Sequence, residues 1–119
     1  MDSRGLRKKT VEGIAHERIL RLRRSRSGSK AVVTRRQREL IELMKNSDNV
    51  DQVRAKFLEF ELAMRNFYEA YDKYHAELID GSAIRDSIEY FESVKRVETA
   101  VFQSFDAWLQ SAEFKLQEE

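Results

Sequence analysis

VDQVRAKFLEFELAMRNFYEAYDKYHAEL, residues 50–78, places an apolar or aromatic side chain at Val50, Val53, Phe57, Phe60, Met64, Phe67, Tyr71, Tyr74 and Leu78. The steps alternate between three and four residues without a miss, which only an α-helix gathers into a single stripe. Away from the stripe, Glu61, Arg65, Glu69, Lys73 and Glu77 alternate in sign every four residues, as on a solvated helical flank. A stripe of this length must be covered, so the central helix needs a partner elsewhere in the chain or on a second copy. Leu58 and Leu62, off the stripe and one turn apart, offer a smaller second patch.

Beyond the central helix, Asp80-Gly81-Ser82 reads as a turn, with Gly81 suited to the left-handed conformation that closes helices and Ser82 to capping the next one. A connection this short makes an antiparallel hairpin. The last helix is expected over 83–116, with Ile84, Ile88, Phe91, Phe102, Phe105, Leu109, Ala112 and Leu116 on one stripe. A neighbouring stripe of Val94, Val97, Val101 and Trp108 calls for a second neighbour, either another helix of the chain or another subunit. In the other direction, Asn46-Ser47-Asp48-Asn49 is a breaker, and Asn49 with Gln52 fits a loose capping box. A shorter helix is expected from about residue 30 to 45 or 46, with Val33, Gln37, Leu40 and Met44 on its face. Ser25-Arg26-Ser27-Gly28-Ser29 reads as a polar linker. Upstream, Val11, Ala15, Ile19 and Leu22 outline a basic amphipathic helix from about Thr10 to Arg24, with a frayed terminus as the plain alternative.

The fold class expected is therefore all-α: a long antiparallel, coiled-coil-like helical hairpin, a shorter third helix packed on it, and a basic N-terminal arm or helix. Residues 1–28 form the arm, partly helical or disordered, and 29–119 the helical domain. Composition agrees, with 36% charged residues, no cysteine and no proline in 119 residues, where average usage would give about six prolines. Nothing forces a break inside a helix, and disulfides, thiolate metal sites and cysteine nucleophiles are excluded. No apolar run approaches the roughly 18 residues of a membrane span, and the basic start lacks the apolar core of a secretory signal.

A net charge of +1 hides a strong asymmetry. Residues 1–38 hold 13 Lys/Arg against 3 Asp/Glu, and residues 39–119 hold 9 against 18. Such a split separates a cationic segment from an acidic helical body. The candidate nucleic-acid-binding residues are Arg7, Lys8, Lys9, Arg18, Arg21, Arg23, Arg24, Arg26, Lys30, Arg35, Arg36 and Arg38. Arg35, Arg36 and Arg38 lie in the first half of the 30–45 helix, next to the positive end of its dipole, where cations are unfavourable unless an anionic partner is present.

Signals for chemistry are absent. His16, in His-Glu-Arg-Ile-Leu, lacks the second histidine of a zinc-peptidase helix. His75 with Asp72 and Glu69 is a partial metal face, outweighed by a surface histidine among helix charges. No glycine-rich phosphate loop or Gly-x-Ser-x-Gly elbow occurs. The aromatic stripe reads as core rather than as a base-stacking platform. The chain is read as a non-enzyme, with no catalytic residue, metal, cofactor or small-molecule substrate.

Several segments occur in a distinctive order: Gly28-Ser29-Lys30-Ala31-Val32-Val33-Thr34-Arg35-Arg36, then Phe57-Leu58-Glu59-Phe60-Glu61-Leu62, then Phe67-Tyr68-Glu69-Ala70-Tyr71-Asp72-Lys73-Tyr74-His75-Ala76-Glu77-Leu78, and Glu89-Tyr90-Phe91-Glu92-Ser93-Val94. Over roughly residues 29–112 the chain resembles the helical N-terminal region of polyproteins from Pao-type long-terminal-repeat retrotransposons. The resemblance implies a gag-like role, self-assembly with association to the element's RNA. The protease, reverse transcriptase, integrase and zinc knuckle of a full polyprotein are missing, so RNA binding would fall on the basic arm.

The function expected is a self-assembling helical module, dimeric or larger, whose arm binds RNA or DNA non-specifically. The alternative is a protein-interaction adaptor with a coiled-coil surface and no nucleic-acid role. A basic membrane-surface or calmodulin-type helix over residues 6–24 is a third reading, and a membrane partner is disfavoured. The location expected is intracellular, cytoplasmic or nuclear.

Overall fold

A computed structural model describes residues 11–118. Three helices account for nearly all of them: α1 (Val11–Asn46), α2 (Val50–His75) and α3 (Gly81–Glu118). No strand occurs among the described residues. The expected all-α architecture, a helical hairpin with a further helix packed on it, is what the chain adopts.

The α1–α2 turn follows the local chemistry. The Asn49 side chain accepts from the Gln52 amide at 3.1 Å and caps α2, but the box is not reciprocal: the Ser47 hydroxyl, not Gln52, accepts from the Asn49 amide, at 3.0 Å. At the other turn the expectation is corrected. α2 ends at His75 rather than Leu78, with the Ala76 amide donating to the Asp72 carbonyl and the Glu77 amide to that of Tyr74. Gly81 does not adopt a positive φ and instead begins α3. Asp80 caps that helix, its carboxylate accepting from the Ala83 amide at 3.0 Å, so neither the Gly81 closure nor the Ser82 cap is used.

The largest departure is in α1, which runs through Ser25–Ser29 as 36 continuous helical residues. No linker separates residues 11–24 from 30–45, and from Arg18 onward the described part of the expected arm is tied to the bundle. An interior glycine costs a helix only about 1 kcal/mol relative to alanine. Burial on both sides of Gly28 outweighs that: Arg26, Val33 and Leu40 are all buried, seven residues apart, with Ile19 continuing the line upstream, half-buried.

The pairing also differs from expectation. The close hairpin is α1 with α2, backbone near backbone, while α3 stands further off. Side-chain size explains it, since interaxial distance follows the residues at the contact. Ser25, Gly28, Ser29 and Val32 of α1 share a groove with Ala63 and Asn66 of α2. Between α2 and α3, rings fill the gap: Phe57 stacks on Phe105 at 4.1 Å, and Phe91 lies 4.7 Å from Tyr71 and 5.6 Å from Tyr68.

On α2 the expected stripe is the core. Val53, Phe60, Met64, Phe67, Tyr71 and Tyr74 are buried, and Val50 and Phe57 half-buried; Leu78 lies beyond the helix, half-buried. On α3 the centre of burial shifts to Ser87, Val94 and Val101. Ile84, Phe91, Phe105 and Leu109 flank it half-buried, while Ile88 and Phe102 remain 41% and 40% exposed. The reason is geometric: α3 faces the furrow between two helices, so the stripe pointing between them is buried deepest. α1 supplies a second neighbour for α3.

Candidate functional site

The basic residues sort onto different sides of α1. Arg7, Lys8 and Lys9 lie outside the described residues. Arg21, Arg24, Arg35 and Arg38 are exposed. Their helical spacing puts them opposite the buried Arg26–Val33–Leu40 line. They form an outward ridge about 26 Å long at 1.5 Å per residue, with Gly28 and Ala31 leaving its middle low. From Arg18 to Arg38 the sequence holds nine Lys/Arg and no Asp/Glu. None of the four ridge arginines has an ion pair among the described residues.

Two further cations lean towards α2. Arg18 Nε meets the Glu77 carboxylate at 2.8 Å, tying α1 to the turn after α2. Arg36 pairs with Glu39 at 2.7 Å. The hydrogen bond from Arg36 holds the Glu39 carboxyl below its ordinary range, and the same bond strengthens the proton's hold on the guanidinium. Both pairs are partly open to water, so salt screens them. Arg23, exposed, and Lys30, half-buried, lie on the opposite flank of α1 from Arg18 and Arg36.

Arg26 corrects the sequence reading. Expected on a phosphate-binding surface, it is only 7% exposed. Its guanidinium carbon sits 3.9 Å from the Tyr90 ring centre and 4.5 Å from that of Tyr74, a cation held between two aromatic faces on α3 and α2. Its Nε is buried without a hydrogen-bond partner. The signal was present in the sequence: Ile19, Arg26, Val33 and Leu40 keep a seven-residue spacing, which puts Arg26 on the buried line.

Beside this cage is a small polar network. His75 Nδ1 lies 2.8 Å from the buried Ser87 hydroxyl and 3.3 Å from the Tyr71 hydroxyl. These contacts engage the histidine in packing, away from Glu69 and Asp72. Among the described residues no group of three or more His, Asp or Glu is placed to hold a metal. On the same α2–α3 face, the Tyr68 hydroxyl donates to Glu98 at 2.5 Å. Burial, and then this carboxylate, push the phenol well above its ordinary range.

Apolar surface is left over on the outer side of α2, where Leu58 and Leu62 are 63% and 53% exposed, and near the end of α3, where Phe114 and Leu116 are exposed. No described helix is long and apolar enough to cross a membrane. No family model, no curated protein and no solved structure matches the chain.

Proposed function

We propose that the chain is a non-enzymatic helical assembly module that binds nucleic acid non-specifically through the outward ridge of α1. The observation that carries this reading is the ridge: Arg21, Arg24, Arg35 and Arg38, exposed, without ion pairs among the described residues, on a segment free of acidic side chains. A rigid helix holds these cations at fixed spacing, where each neutralises a phosphate and releases its counterion. No base-reading motif accompanies them, so affinity tracks charge rather than sequence. The gag-like role implied by the retrotransposon resemblance, with location in the cytoplasm or nucleus, is part of the same proposal.

Fluorescence anisotropy with a labelled single-stranded RNA over a salt series tests it. Replacing all four arginines by glutamine is expected to flatten the log–log salt dependence by about 0.7 for each phosphate that is no longer neutralised, with helicity unchanged. An unchanged slope would refute the ridge.

Self-association is the second half of the proposal, resting on exposed Leu58 and Leu62. Sedimentation of the full chain is expected to give a dimer or larger species that Leu58→Ser with Leu62→Ser returns to monomer. A monomeric wild-type chain would favour the adaptor reading, in which the same two leucines receive a different protein.

A further inference from the structure

A cleft of about 330 Å³ opens beside the Arg26 cage, lined by Arg23, Arg26, Tyr74, Asp86, Ser87 and Tyr90. Arginine stays protonated under all ordinary conditions, and a buried charge is costly unless it is paired and hydrogen-bonded. Arg26 is more than nine-tenths buried and forms no ion pair or hydrogen bond with any described residue. The two tyrosine faces offset part of that cost, but Nε is sealed off without a partner, and no group of the described residues accepts from the terminal nitrogens. Arg23, one helical turn away, lines the same cleft, exposed and without an ion pair among the described residues.

The other polar groups on the wall leave the cleft cationic. Asp86, exposed on the wall, pairs with neither arginine, so the lining sets two guanidinium charges against one carboxylate, and the Ser87 hydroxyl is engaged with His75. Ala83, in the first turn of α3, completes the wall, its amide already taken by the Asp80 carboxylate.

We propose that this cleft is a phosphate-binding site in which one phosphate group bridges Arg23 and Arg26. The two guanidinium groups lining the cleft belong to residues about one helical turn apart. A tetrahedral phosphate presents oxygens to both, whereas a planar carboxylate matches a single fork. The ligand is either a small phosphomonoester or one phosphate of a nucleic-acid strand. None of the four ridge arginines lines the cleft, so the site does not depend on the ridge.

The test is an NMR titration of the full ¹⁵N-labelled chain, following the Arg26 Nε–Hε signal and the ring protons of Tyr90. Inorganic phosphate is expected to give a saturating shift, and acetate at matched ionic strength none. Arg23→Gln, an exposed change that leaves the core intact, is expected to weaken phosphate about tenfold. Arg26→Met is expected to abolish the response of Tyr90. A short RNA oligonucleotide distinguishes the sources: saturation below the phosphate concentration assigns a nucleic-acid strand, and saturation only by phosphate or a nucleoside monophosphate assigns a small phosphomonoester. Absence of a saturating phosphate shift, equal binding of acetate, or unchanged affinity in Arg23→Gln overturns the proposal. The variant lacking the four ridge arginines keeps the phosphate response even if its RNA binding is lost, which separates this site from the ridge.

Discussion

The indole Nε1 of Trp108 donates to the main-chain carbonyl of Met44 at 3.0 Å. That carbonyl belongs to the last turn of α1, where no helical amide remains to bond it. α3 thus caps the C-terminus of α1 with a side chain sixty-four residues away in sequence. Trp108→Phe preserves most of the ring packing but strands the acceptor, and is expected to cost about 1–2 kcal/mol. Urea denaturation followed by circular dichroism measures it. A loss below experimental error would show that water satisfies Met44 equally well.

Tyr68 makes stability depend on alkaline pH. Burial and Glu98 raise its phenol pKa in the folded state above the unfolded value. Above about pH 10, the ordinary phenol pKa, the unfolded chain loses this proton while the folded chain keeps it. Unfolding is then favoured as pH rises. The contribution is fully present below pH ~10 and disappears as the pH climbs towards the folded value. The urea midpoint of wild type is expected to fall more steeply between neutral and strongly alkaline pH than that of Tyr68→Phe. Parallel curves would mean that Glu98 does not hold the phenol.

Gly28 tests the continuity of α1. It lies in the helix interior with a negative φ, and a Cβ added there would meet nothing within 4 Å. Gly28→Ala is expected to stabilise the protein by about 0.5–1 kcal/mol through the reduced freedom of the unfolded chain. In a flexible linker the same change would leave the thermal midpoint unmoved.

Ala63 sets the spacing of the close hairpin. Only 3% exposed, it faces the groove that Ser25, Gly28, Ser29 and Val32 form on α1. Ala63→Leu forces the two backbones apart and is expected to destabilise by about 1–3 kcal/mol. The same substitution at exposed Ala55 serves as the control for helix propensity. Equal denaturation curves for the two variants would place the close approach elsewhere.

The ridge and the cage divide one run of arginines into two kinds. Arg24 and Arg26 are near neighbours in a segment that reads as uniformly cationic, yet one faces water and the other lies between two rings. Charge counting cannot separate them; helical phase can, once α1 is known to be unbroken. Ser25–Ser29 concealed that phase, because its composition favours a turn by local propensity and only the burial on either side keeps it helical.

The alternating three-and-four stripe from Val50 to Tyr74 fixed by itself that the chain is helical and which face of α2 is buried, because that periodicity has no other compact solution. The breaker at residues 46–49 likewise located the start of α2, with Ser47, Asp48 and Asn49 all able to cap it, and the cap is made by Asn49. Tertiary structure alone decided that α1 rather than α3 is the intimate partner of α2, and that Ser87, Val94 and Val101 rather than Ile88 and Phe102 lie deepest on α3. Those outcomes depend on which side chains meet across the bundle, small against small or ring against ring, and no residue carries that information until its neighbour is in place. Arg26 is the clearest case: its chemistry announces a surface cation, and Tyr74 with Tyr90 make it part of the core.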